Sequence, residues 1–232
     1  MPGDLYATKG TEYLIVIAYL LLMAGLGTML ALPRFAGDFA AKARSNVARA
    51  APWFALADGY HFHPGHSWVA VAVAAADGDV VTVGLDDFAA QLVGAPDGLE
   101  LPAVGTSVRQ GERGWAVRAG ERTLPMISPV EGTVVAVNQA VLDSPRRAAE
   151  DPYGEGWLLK VKAPNLLASL RNLLSGELAS VWMRHTAERL RRLPAAGLGV
   201  VMPDGGMPVR GFGRALAPEE WDAVVSEFFL TG

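Results

Sequence analysis

Three histidines fall within six residues, at His61, His63 and His66, and they are the side chains of this chain best suited to hold a metal. Imidazole is a frequent metal ligand. No cysteine or nearby carboxylate completes such a site, and Pro64-Gly65 turns the chain between the second and third histidine. The expectation is no metal centre, with His61, His63 and His66 as the residues to examine. Asp86 and Asp87 are adjacent carboxylates, a pairing that can serve acid/base chemistry, but they sit where a short helix over Asp86–Val93 opens. The absence of cysteine excludes thiol catalysis, disulfides and cysteine-ligated clusters. No Ser/His/Asp arrangement, phosphate loop or dinucleotide fingerprint is present. The sequence therefore predicts no catalytic residue, no bound cofactor and no enzyme activity of its own.

A second group of charged side chains, Arg118, Glu121 and Arg122, lies in the turn Arg118-Ala119-Gly120-Glu121-Arg122. Strand-like runs flank it inside the stretch Leu101–Val137, so it reads as the tip of a β-hairpin presented to solvent. The apolar segment Leu124–Ile127 leads into Ser128-Pro129-Val130-Glu131-Gly132, and Thr133–Val137 leaves as a strand. Two further strands are expected at Val69–Val73 and Asp79–Val83, around the turn Ala76-Asp77-Gly78, and a closing strand at Gly156–Lys162. Helical spacing of Leu166, Leu167, Leu170, Leu173 and Leu174 predicts helix from Asn165, interrupted at Gly176 and continuing to Leu193 before Pro194.

Within this region the words Gly65-His66-Ser67-Trp68-Val69, Val83–Ala89, Leu101–Gly105, Ser128–Gly132, Asn138, Asp143-Ser144-Pro145 and Glu150-Asp151-Pro152-Tyr153-Gly154-Glu155-Gly156-Trp157-Leu158 occur in one order. In that order they resemble the lipoyl-carrying H protein of the glycine cleavage system, over about residues 58 to 185. The resemblance implies two packed sheets with flanking helices, and gives His66 a structural place in an entry strand. It also implies a lysine at the hairpin tip, joined to lipoate by an amide. That position falls on Glu121, and the family's acidic residue three before it falls on Arg118. There is no lysine between Lys42 and Lys160. Lipoylation acylates an amine, and neither the Glu121 carboxylate nor the Arg122 guanidinium replaces one. The fold class expected is thus β-rich α+β, a flattened barrel or sandwich of the lipoyl-carrier hybrid type, without lipoate at its tip.

Outside the resemblance, residues 13 to 32 form a 20-residue run without charge. As a helix it would span the roughly 30 Å hydrocarbon core of a bilayer. Tyr13 and Tyr19 suit an interface. Arg34, Lys42, Arg44 and Arg49 follow it, which by the positive-inside rule puts the rest of the chain on the cytoplasmic side. The domains expected are a tail and transmembrane helix over 1–33, an Ala-rich connector over 34–57, the H-protein-like domain over 58–193 and an extension over 194–232. In the extension, Leu198–Met202 reads as a strand and Pro203–Gly206 as a turn. Pro218-Glu219-Glu220 then opens a helix whose face carries Trp221, Val224, Val225, Phe228 and Phe229.

The chain has 232 residues, 51% apolar, with a net charge of −4, which gives no reason to expect nucleic acid. Together these features predict a non-catalytic, membrane-anchored scaffold or accessory subunit of a membrane-associated assembly, of which a redox complex is one setting. Its partners would be membrane lipid through Tyr13–Leu32 and other protein subunits. Arg118, Glu121, Arg122, Trp221, Val225, Phe228 and Phe229 are the candidate partner contacts; the apolar face of the last helix either packs on the chain's own core or docks into a partner. The alternatives are a tethered acyl or one-carbon carrier using another lysine, and a histidine-based metal module.

Overall fold

The structure is a computed structural model that describes residues 16–20, 22–23, 53–71, 80–192 and 208–230. Residues 16–20 and 22–23 are helical and exposed. They belong to a first compact unit, Met1–Asn46, and all other described residues belong to the second, Val47–Gly232. Among the described residues no helix is long and apolar enough to cross a membrane. Most of the expected span Tyr13–Leu32, the connector to residue 52, and the strand and turn expected over 198–206 lie outside the described residues.

The second unit is built on nine β-strands among the described residues. In chain order they are β1 (His61–His63), β2 (Ser67–Val71), β3 (Val80–Leu85), β4 (Gly98–Glu100), β5 (Ser107–Val108), β6 (Arg113–Ala119), β7 (Arg122–Ile127), β8 (Gly132–Val137) and β9 (Leu159–Lys162). All pair antiparallel, in a six-stranded sheet ordered β1-β2-β3-β9-β8-β5 and a three-stranded sheet ordered β4-β6-β7. The β-rich α+β class expected from the sequence is present. In β9 the pattern buried-exposed-buried-exposed turns Leu159 and Val161 into the core and Lys160 and Lys162 outward.

Helices α1 (Asp87–Val93), α2 (Gln139–Asp143), α3 (Arg147–Glu150), α4 (Leu166–Leu170), α5 (Gly176–Arg192) and α6 (Pro218–Phe229) flank the sheets. Helix α1 starts where Asp86 accepts the Ala89 N–H at 2.9 Å, an N-cap that satisfies one otherwise orphaned donor. It is buried along its whole length. One continuous core joins Val69, Val83, Phe88, Leu124, Val134, Leu159, Met183 and Phe229. Trp68 lies flat across β3 because the residue paired with it, Gly84, has no side chain. A Cβ there would come within 2.4 Å of the indole.

Helix α6 belongs to this core. Trp221, Val224, Phe228 and Phe229 are buried, and Val225 is half-buried against the same cluster. Phe228 and Phe229 place their rings 5.2 and 5.9 Å from Phe88. Of the two destinations open to this face, the chain's own core is the one that Trp221, Phe228 and Phe229 take. Burying a large apolar side chain is worth about 1.5–3 kcal/mol, and here the chain's own core supplies the burial.

Candidate functional site

The hairpin tip is the two-residue loop Gly120-Glu121, closed by the pair Ala119 and Arg122. Gly120 has φ +64°, a left-handed conformation that glycine takes without penalty. Tight two-residue loops match the twist of paired strands only with such a residue in the loop. Glu121 is exposed at the apex and Arg118 is exposed one turn of the pleat below it. Arg122 is half-buried. Its guanidinium donates to the carbonyls of Gly213 and Leu216 and lies 5.1 Å from the centre of the Trp221 ring. Of the three charged residues expected to face a partner, Arg122 is therefore engaged within the chain, while Arg118 and Glu121 face solvent.

Asp97 completes the arrangement, and no pattern in the sequence marks it. Its carboxylate accepts the Gly120 N–H and, at 3.2 Å, a hydrogen bond from Arg214. Arg214 also donates to the Ala95 carbonyl. The partners are separated by more than 100 residues of chain for Arg214 and by 23 for Asp97 and Gly120, so only the fold brings them together.

The histidines do not form one site. His61 and His63 share one face of β1, on either side of buried Phe62, and are partly buried, whereas His66 turns into the core at φ +63°. There His66 Nδ1 lies 2.7 Å from Asp86 Oδ2, both side chains at 1% exposure or less. The imidazole stacks on Phe88 at 4.1 Å and lies 5.0 and 5.1 Å from Trp182 and Phe229. His63 Nδ1 accepts the Gly65 N–H at 3.0 Å. Burial, with the neighbouring His66, pushes the His63 pKa down to about 4. Burial also lowers His61. Among the described residues no group of three or more His, Cys, Asp or Glu is arranged to hold a metal ion.

The carboxylates at 86 and 87 are structural. Asp86 binds His66 and caps α1. Asp87 accepts hydrogen bonds from the Ala55 N–H at 2.8 Å and from Gln91 at 2.9 Å, and burial raises its pKa. Tyr153 donates to the Ala55 carbonyl at 2.8 Å and accepts from the Asp87 N–H at 3.1 Å. Burial, reinforced by the charge of Asp86, holds the Tyr153 hydroxyl well above the usual phenol range. Asp151 accepts from the Gly154 and Glu155 N–H groups at 3.1 and 2.8 Å, which shapes the turn into β9. Asn138 donates to the Glu155 and Trp157 carbonyls at 2.9 and 2.7 Å. The quoted sequence words thus meet in space as the frame that carries the hairpin.

The family model described as glycine cleavage H-protein matches residues 60–186, which is more than half of the 232-residue chain. The chain belongs to the glycine cleavage H-protein family. It is 44% identical over 94 residues to the glycine cleavage system H protein of Thermosynechococcus vestitus, covering 40% of this chain and 74% of that one. It is 38% identical over 112 residues to that of Carboxydothermus hydrogenoformans, covering 48% and 82%. A solved glycine cleavage system H protein from Mycobacterium marinum shares 31% identity, covers 57% of this chain and 99% of its own, and gives a TM-score of 0.49. These relatives are H proteins of glycine cleavage, and they overturn the expectation of a membrane-anchored scaffold or accessory subunit of a redox assembly. Segment 208–230, with Arg214 and α6, lies beyond the matched residues.

Proposed function

We propose that this chain serves the glycine cleavage system, or a system with the same kind of components, as an H-protein-type component that is not itself an enzyme. Membership of the H-protein family over residues 60–186 is the observation that carries this reading. The finer part of the proposal concerns the tip. Glu121 stands at the position where the resemblance puts the lipoyl lysine, so this hairpin meets the system's enzymes without a lipoyl amide. The amines among the described residues are Lys160 and Lys162, exposed on the interior strand β9, with Lys160 Nζ 5.2 Å from the Trp157 ring. A strand in the middle of a sheet is a poor mount for a swinging arm.

The test is competition. The purified chain is added to a glycine cleavage system reconstituted around a lipoylated H protein, and glycine turnover is followed. The expected result is a fall in turnover that extra lipoylated H protein reverses. Unchanged turnover at large excess of the chain rejects the reading. For Tyr13–Leu32 the 20 uncharged residues support membrane attachment with the H-protein domain on the cytoplasmic side. Membrane fractionation of the full chain against one starting at residue 47 tests it, and equal recovery in the soluble fraction refutes it.

A further inference from the structure

We propose that segment 208–230 is a built-in clamp on the hairpin, fixing its tip and keeping a modifying enzyme from enclosing residue 121. The segment is docked at two places. At the end of α1 the Gly211 N–H donates to the Gln91 carbonyl at 2.6 Å, and Gly211 packs directly on Gly94. A Cβ on Gly94 would lie 2.7 Å from the Gly211 Cα, so this close approach needs glycine. Beyond it, α6 is held by the burial of Trp221, Phe228 and Phe229.

From that platform the segment reaches both neighbours of Glu121. On one side Arg122 donates to the Gly213 and Leu216 carbonyls over the Trp221 ring. On the other, the Gly120 N–H is held by Asp97, which is itself held by Arg214. The apex side chain stays exposed while the backbone around it is tied down on both flanks. A small reagent can reach such an apex. An enzyme that must surround a turn to act on its side chain cannot, unless the clamp lets go. Charge-assisted hydrogen bonds to carbonyls are among the stronger ones a side chain makes, so releasing Arg122 shifts the open population substantially.

The experiment uses full-length Glu121→Lys as a reporter, with and without Arg122→Gln. Each chain is incubated with lipoate, ATP and a lipoate–protein ligase, and modification of Lys at position 121 is timed by peptide mass spectrometry. A small amine-acylating reagent is applied in parallel, and thermal melting confirms that both chains are folded. The expected ligase rate is about tenfold higher in the double variant, the factor that corresponds to weakening one charged contact. The small reagent should label both chains at rates within about twofold, because exposure of the apex is unchanged. Arg214→Gln in place of Arg122→Gln should raise the ligase rate in the same direction. Equal ligase rates in the clamped and released chains, including no modification of either, overturn the proposal. A parallel rise with the small reagent overturns it too, since that would mean the tip was buried and not clamped.

Discussion

The frame around Trp68 and the tip around Glu121 answer to different demands. In the frame nearly every quoted residue has a local structural duty. Trp68 Nε1 donates to the Leu85 and Pro152 carbonyls at 2.8 and 3.1 Å, His66 pairs with Asp86, and Asp151 and Asn138 shape the approach to β9. Removing Trp68 leaves a cavity, and removing Asp86 or His66 leaves an unpaired buried polar group. At the tip, Glu121 touches nothing that the fold requires and lies in solvent. A family's fold is therefore recorded in many residues, whereas its covalent chemistry hangs on one side chain that folding does not select.

The contrast can be broken first at the frame. Trp68→Ala should cost about 3–5 kcal/mol, because it removes a fully buried indole and leaves a void against Gly84. Chemical denaturation measures it, and a loss below about 1 kcal/mol would place Trp68 outside the core. Asp86→Ala should cost about 3 kcal/mol, since it strands His66 in an apolar cage and uncaps α1. A similar loss for His66→Ala, with little further loss in the double variant, would show that the two act as a pair.

Acid sharpens the same comparison. His63 is held neutral in the fold with a pKa lowered to about 4, against an ordinary 6.5. The unfolded chain then binds a proton that the folded chain refuses as pH falls from about 6.5 to about 4, so stability declines across that window. At 1.36 kcal/mol for each pKa unit the full shift corresponds to about 3.4 kcal/mol, and solvent screening of the partly exposed ring makes that an upper bound on the decline. His63→Gln should flatten the pH dependence of the melting temperature between those values. The tip should be the least sensitive of all. Glu121→Lys is expected to change stability by less than about 0.5 kcal/mol, because an exposed loop apex has no partner to lose.

Much of the frame was legible in the sequence because its signals are local. The run Asp86–Val93 announces a short helix, Gly156–Lys162 announces a closing strand, and Gly120 announces a turn. The apolar face of Trp221, Val224, Phe228 and Phe229 was equally visible, but its destination was not. Whether such a face meets its own core or another protein depends on contacts with Phe88 and His66, more than 130 positions earlier in the chain. The resemblance gives His66 a structural place, but the sequence does not show which way its ring points. Its left-handed backbone, which sends the ring inward, cannot be inferred from residue type. The tie between Arg122 and the carbonyls of Gly213 and Leu216 left no trace in local pattern, since a carbonyl acceptor has no residue signature.

The central proposal is that the H-protein frame here carries a tip that takes no lipoate. Intact mass measurement of the full chain, co-expressed with a lipoylation system that fully modifies a control H protein, tests it most directly. The account predicts the unmodified mass for this chain. A mass increase of one lipoyl group would contradict it.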